Sequence, residues 1–245
     1  MKENWLQRTQ LMFGNDAIQR IQQSHVAIFG VGGVGGYVAE ALARSGVGAI
    51  DLIDPDRVSL TNLNRQIVAL HSTIGQLKVD VMRQRILDIN PACRVTTYPL
   101  FYLPDNADSI DLSCYDYVAD CIDTVRAKLE LIRRCQRLST PILCSMGAGN
   151  RLNPMAFRVM DIANTQGDPL ARAIRTTLRH EGIRHQPVVC STELPVTTSS
   201  LQPGEKRPTP ASNAFVPAAA GLTIAAAILE ALSKSPVPTT TRDCP

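Results

Sequence analysis

The sequence predicts an α/β fold with a mainly parallel central sheet, extended by additional strands and closed by a C-terminal helix. Three observations carry that expectation. Short apolar runs alternate with helix-period segments as far as Gly149, which implies crossover units and a sheet covered on both faces. The stretch "GVGGVGG", residues 30–36, packs five glycines into seven positions between an apolar run and a helical pattern, so something must approach the backbone closely there. Residues 217–232 ("PAAAGLTIAAAILEAL") form an alanine-rich apolar stretch interrupted by Glu230; it is short of a membrane span and reads as a buried helix.

The elements follow in order. Residues 25–29 ("HVAIF") read as a strand, 36–45 as a helix and 49–53 ("AIDLI") as a second strand. A helical pattern from Gly75 to Ile89 is stopped by Asn90–Pro91. "CRVTTYPL" (93–100) is the third strand, "YDYVADCI" (115–122) the fourth, 124–138 the next helix and "PILCSM" (141–146) the fifth strand. "MAFRVMDI" (155–162) adds a further strand, and a basic helix spans 168–181, with Asp168 as its cap and Pro169 at its first position. Residues 195–213 are rich in Pro, Ser and Thr and read as a mobile loop; 236–245 read as a disordered tail. The whole is expected to be one domain over 1–235, with a first half at about 8–150 and a second at about 151–235.

Composition sets the class. Hydrophobic residues make up 44% and charged residues 19%, as in an ordinary soluble globular protein, and a net charge of +3 neither demands nor excludes a polyanionic partner. The first sixteen residues are polar and lack a signal-peptide core. Seven cysteines, at 93, 114, 121, 135, 144, 190 and 244, form no CxxC pair, so a tetrahedral cysteine–zinc site is not expected and most read as small buried hydrophobes in a reducing compartment. The expectation is a cytoplasmic protein without integral membrane insertion.

Ligands of parallel sheets bind beyond the carboxyl ends of the strands, and the first, second and fourth strands end at Gly30, Asp54 and Asp123. Gly30, Gly32, Gly33 and Gly35 let bare amides face phosphate at a helix N-terminus, and Asp54 is placed to accept ribose hydroxyls: a Rossmann-like nucleotide site. The glycines alone do not separate NAD from ATP. Asp56, Asn62, Asn64, Arg65, Gln66 and Lys78 follow directly, however. Arg65 as a bidentate donor and Lys78 as a point charge suit a site that neutralises charge on a phosphate under attack. Asp120 and Asp123 flank the fourth strand's end; Asp123 is the candidate Mg²⁺ ligand, with a helix-capping role as its alternative.

Together, "GVGGVGG", "DPDRVSLTNLNRQ", "GQLKVDVM" and "DCIDTV" resemble the ubiquitin-activating-type (ThiF/MoeB-like) adenylating family over roughly residues 8–150. The resemblance implies ATP attacked at its α-phosphorus by a carboxylate. It implies ribose binding by Asp54, phosphate binding by Arg65 and Lys78, a site lined by Asn62 and Gln66, and Mg²⁺ on Asp123. Arg8, in "RTQLMFG", resembles the arginine that reaches into a neighbouring subunit's ATP site, which implies a homodimer. "TQGDPLARAIRTTLRHEGI" and "CSTE" resemble the tRNA threonylcarbamoyladenosine dehydratase branch, extending the likeness to roughly 8–235. Some members carry a cysteine in the loop matching "KRPTPAS", where Pro210 stands here; that excludes a thioester through this position.

The residues of the second half agree with an RNA substrate. Leu170, Ile174 and Leu178 form an apolar stripe while Arg172, Arg175 and Arg179 fall on another face, with His180, Arg184 and His185 behind them. The expectation is therefore ATP-dependent dehydration, by cyclisation, of threonylcarbamoyladenosine in tRNA through an acyl adenylate, with ATP and Mg²⁺ as cofactors. A sulfur-transfer protein is a further partner that the resemblance allows. Adenylation of a ubiquitin-like sulfur carrier is the alternative, although its usual paired zinc cysteines are missing. An NAD-dependent oxidoreductase ranks lower because it gives Arg65, Lys78 and Asp123 no task, and a non-catalytic RNA-binding module is a fourth reading.

Overall fold

The computed structural model describes residues 4–197 and 209–234; part of the expected mobile loop and the expected tail at 236–245 lie outside them. Two helices, α1 (Gln7–Phe13) and α2 (Asn15–Gln23), precede β1 (His25–Phe29). Then follow α3 (Gly35–Arg44), β2 (Ala49–Ile53), α4 (Lys78–Ile89), β3 (Arg94–Tyr98), β4 (Tyr117–Asp120), α5 (Val125–Leu138) and β5 (Ile142–Ser145). The second half adds β6 (Phe157–Asp161), α6 (Pro169–His180), β7 (Pro187–Ser191) and α7 (Val216–Lys234).

All the strands join one seven-stranded sheet in the order β3-β2-β1-β4-β5-β7-β6. Every pairing is parallel except β6 with β7, which is antiparallel, so the expected parallel core with an extension stands. The order reverses between β1 and β4, the topological switch point at which open α/β sheets bind ligands. β1 and β2 are buried throughout because helices cover both faces, and that is why they read as continuous apolar runs. Along β1 the alternation sends Val26 and Ile28 into the core beneath α3, α4 and α7, and Ala27 and Phe29 into the core beneath α5 and α6.

The apolar stretch near the C-terminus is α7, a helix of 19 residues that passes a membrane-span test on length and composition. Its apolar side is spent on the core instead: Val216, Ala220, Ile224, Ile228 and Leu232 pack with residues of α2, α3 and β1. A side chain at Gly221 would run into the Val34 carbonyl and the Tyr37 side chain, so α7 crosses the start of α3 at glycine distance.

The structure corrects several boundaries. The helix expected from Gly75 starts at Lys78, because Gly75 has φ +87° and Arg57 bridges Leu77 in front of it. The fourth strand is shorter than expected and ends at Asp120. β7, α1 and α2 were not expected at all.

Glu40, buried on α3, ties that helix to its neighbour through Arg85 on α4 (2.6 Å) and to Arg44 on its own helix (2.7 Å). Burial works to raise its carboxyl, but the two arginines outweigh burial and hold it below the ordinary carboxylate value. A depressed folded value gives stabilisation that is complete above the unfolded carboxylate range and lost as pH falls through the folded one. Glu40→Gln is expected to cost about 1–2 kcal/mol at pH 7. In urea unfolding the gap to wild type should close as pH falls below about 4; a constant gap would exclude carboxylate charge as its origin.

Candidate active site

The site is assembled at the carboxyl ends of β1, β2 and β4. Gly30 has φ +89°, and a Cβ there would lie 2.8 Å from the Cys121 carbonyl oxygen; a Cβ on Gly35 would collide with the Gly30 carbonyl. Only glycine permits this turn, which delivers the chain directly into α3. A Cβ added at Gly33 would lie 3.4 Å from the Arg65 Cγ, and one at Gly32 would lie 3.9 Å from the Gln66 amide nitrogen, so both side chains come up to the turn. The structure thus brings the glycine turn and the 60–66 segment together.

Asp54 is buried and uses both carboxylate oxygens on backbone: Oδ2 accepts from Val31 N–H (2.7 Å) inside the glycine turn, and Oδ1 from Asp56 N–H (2.8 Å). Burial pushes its carboxyl above the ordinary value, while Lys78 and the two backbone donors pull it back. Lys78, also buried, donates from Nζ to the exposed Asp56 carboxylate at 2.7 Å. Asp56, expected to touch the nucleotide, is therefore the residue that holds Lys78.

Asn62 is buried and shapes a single turn of 3₁₀ helix, Leu60–Asn62. Its side chain accepts from Ser59 N–H (3.1 Å), and its carbonyl accepts from the N–H groups of Arg65 (3.1 Å) and Gln66 (2.9 Å), aiming both residues at the glycine turn. Gln66 is buried, and among the described residues its Oε1 has no hydrogen-bond partner. An orphaned acceptor beside a side-chain-free turn is the arrangement a nucleotide would complete.

At the end of β4 the two aspartates part. Asp120 is fully buried in an ion pair with Lys128 of α5 (2.8 Å), and its Oδ1 accepts from Ile122 N–H at 3.1 Å. Burial opposes the Lys128 charge, but Asp120 outweighs it and raises the ammonium's value. Asp123 is exposed and accepts from Thr124 Oγ1 at 3.5 Å, and Thr124 rather than Asp123 holds the N-cap position of α5. Among the described residues no three His, Cys, Asp or Glu side chains gather as a metal cage. Mg²⁺ with phosphate oxygens and one carboxylate needs no cage, and Asp123 fits that donor set.

Arg8 lies exposed on α1, a helix with no buried residue, and it makes no hydrogen bond to the other site residues among those described. On α6, Asp168 caps the helix by accepting from Ala171 N–H (2.7 Å), and Ala171, Ile174 and Leu178 are its buried stripe. Arg172 and Arg179 are exposed. Arg175 is half-buried and its guanidinium is tied to the carbonyl (2.9 Å) and hydroxyl of Thr165, so two of the three expected RNA contacts face outward freely and one is anchored.

Sequence reasoning missed Lys128 and Arg151. Arg151 follows β5 and is buried against Asp168 (2.8 Å), and among the described residues its Nη1 has no hydrogen-bond partner. Its position just beyond a strand's carboxyl end was the available signal.

A glycine turn at the switch point, a buried carboxylate just beyond β2 bonded to it and the Arg65 stem against it are the arrangement of a nucleotide-binding α/β protein. Comparison with known proteins narrows this class. The chain belongs to the ThiF family, whose model matches residues 6–242. It is 42% identical over 226 residues to the tRNA threonylcarbamoyladenosine dehydratase of Bacillus subtilis (strain 168), covering 88% of this chain and 89% of that protein. The protein of the same name from Escherichia coli (strain K12) is 44% identical over 184 residues, 74% of this chain and 69% of the relative. Among solved structures, the E. coli tRNA N6-threonylcarbamoyladenosine dehydratase in complex with AMP aligns at TM-score 0.84 and 39% identity over 92% of each chain. Its complex with ATP aligns at TM-score 0.81 and 38% identity, also over 92% of each chain.

Lys128→Ala leaves the Asp120 carboxylate buried without its counter-ion and is expected to cost about 3–5 kcal/mol. Replacing the pair together, Asp120→Leu with Lys128→Met, should recover at least half of that loss in urea unfolding. Equal losses in the two variants would show that the unpaired charge is not the cause.

Proposed function

We propose that this chain carries out the ATP-dependent dehydration, by cyclisation, of threonylcarbamoyladenosine in tRNA. The observation that carries the reading is the match, over nearly the full length, to dehydratases solved with ATP and AMP, in a chain whose glycine turn, Asp54, Arg65, Gln66 and Lys78 converge on one place.

The glycine-turn amides and the start of α3 receive phosphate, and Asp54 receives the ribose. Arg65 and Lys78 neutralise charge as the threonine carboxylate of the modified base attacks the α-phosphorus and pyrophosphate leaves. Asp123 would hold Mg²⁺, which supplies further charge neutralisation when bound. The neighbouring carbamoyl group then closes on the activated carboxylate and displaces AMP, for a net loss of water. This route needs no enzyme nucleophile, since activation and proximity suffice. The thiols agree with it: burial pushes Cys93, Cys121 and Cys135 up to about 12 and Cys190 to about 11, and Cys144 lies well above its ordinary value. None of these five free cysteines is a thiolate near neutral pH.

Arg172 and Arg179 supply the RNA-facing charge in this reading, and a tRNA substrate fits a cytoplasmic enzyme. The homodimer belongs to it as well. α1 exposes Leu11 and Met12 (82% and 84%) beside Arg8, an apolar surface that a second subunit would cover while Arg8 enters the neighbouring site. Adenylation of a sulfur-carrier protein is the competing reaction.

Incubation of the protein with modified tRNA and Mg-ATP, followed by mass spectrometry of the digested nucleosides, is expected to show loss of water from the modified base. Asp123→Ala and Lys78→Ala should each lower turnover by about 10²-fold or more. A wild-type protein that binds ATP yet leaves the nucleoside unchanged would sink the assignment, and pyrophosphate exchange dependent on a small carrier protein would replace it.

A further inference from the structure

Arg65 is half-buried beside the glycine turn, and its placement depends on residues distant in sequence. Its Nη1 donates to the Thr61 carbonyl (3.0 Å) and to the Asn64 side-chain oxygen (2.9 Å). The Asn64 amide is oriented by its other end, where Nδ2 donates to the Ser212 carbonyl at 3.1 Å. Ser212 is followed by Asn213, whose Oδ1 accepts from the Phe215 (3.2 Å) and Val216 (2.9 Å) N–H groups that open α7. The Asn213 Nδ2 donates to the Arg151 carbonyl at 2.9 Å. Arg151 in turn is fixed by Gly147 O (3.1 Å) and by Asp168 (2.8 Å), the cap of α6.

We propose that Asn64 and Asn213 are positioning residues for Arg65, setting its guanidinium over the glycine turn from anchors in the second half of the chain. The inference rests on the reading of Arg65 as a phosphate-binding group. Each amide has both ends engaged, so neither can rotate without breaking a bond at its other end. With Nη1 held by two neutral oxygens, Arg65 keeps its full charge and turns its remaining N–H groups to the ligand. The ordering cost of a long side chain is met before ATP arrives. The same bonds connect the cap of the basic helix to the cation at the phosphate site through Arg151.

The variants Asn64→Ala and Asn213→Asp separate this role from a structural one. Asp at 213 keeps the helix-capping oxygen but loses the donor to Arg151, so its thermal unfolding should match wild type. By calorimetry, each variant is expected to bind ATP about 3–10-fold more weakly, the cost of ordering one arginine at the moment of binding. Adenosine, which lacks phosphate, should bind as in wild type. In an Arg65→Ala background the Asn64 substitution should have no further effect on ATP affinity. Unchanged ATP affinity in either variant, equal weakening of ATP and adenosine, or an undiminished Asn64 effect without Arg65 would each overturn the proposal. A wild-type chain that binds ATP but does not dehydrate the modified tRNA overturns the proposed reaction and leaves the positioning role to be decided by these affinities. A wild-type chain that does not bind ATP overturns both.

Discussion

The contact between Gly30 and the Cys121–Ile122 backbone sets the geometry on which the rest of the site depends. β1 and β4 are neighbours at the point where the strand order reverses, and their ends press together as closely as a residue without Cβ allows. This approach carries the following turn across the end of β1, so that Val31 N–H reaches the Asp54 carboxylate at the end of β2. It also carries the 121–123 segment beneath the turn, with Asp123 exposed at its tip. The cost appears one layer down, where Asp120 and Lys128 are buried as an ion pair that shapes the same segment. A buried pair is a weak source of net stability, but breaking it is expensive, so it fixes a conformation more than it strengthens the fold.

The two cations proposed to meet phosphate, Lys78 and Arg65, are restrained in different ways, with different consequences. Lys78 is buried and paired with an exposed carboxylate, so in the proposed site an arriving phosphate would compete with Asp56 for the ammonium. The buried Asp54 carboxylate, whose ionised form Lys78 favours, keeps positive charge useful at that spot even without a ligand. Arg65 is held by a backbone carbonyl and a neutral amide oxygen, which orient the guanidinium without offsetting its charge. One cation is therefore stored in an ion pair and the other is displayed. In a partly desolvated site the displayed charge gives the stronger pull on an anion, because no partner must be displaced first.

How much of this was legible in the sequence follows from what each residue does. The strands at 25–29 and 49–53 were read to the residue because burial on both faces leaves an uninterrupted apolar run. Asp54, Arg65, Gln66 and Lys78 were legible as a group because they follow the glycine turn at short range. α1 was not legible: it buries nothing, so no periodicity marks it. α2 buries only Ala17, Ile18 and Ile21, in a polar segment separated from α1 by Gly14. β7 opens with Pro187 and offers too short a run to distinguish from loop. The assignment of Arg175 to an outward face rested on helical spacing, and spacing does not reveal that Thr165 stands close enough to take the side chain. The bond from Asn64 to Ser212 joins residues 148 apart, and only the packing of α7 across α3 makes that contact exist.

The second half contributes more than charge to the site. In the proposed reading, phosphate contacts from Arg172 and Arg179 would position a polyanion without identifying it. Asn150 gathers the chain on the far side of Arg151. It has φ +57°, and its N–H and side-chain oxygen pair with Ala211 (2.7 Å each) while its carbonyl accepts from Val196 N–H at 2.7 Å. Both flanks of the 198–208 segment are thereby fixed to one residue beyond β5, next to Arg151. Pro210 lies against Gly149 at that same place. If the proposed reaction takes place beside this residue, the group held nearest the activated carbonyl would be the substrate's own carbamoyl, and proximity would favour it as the attacking group.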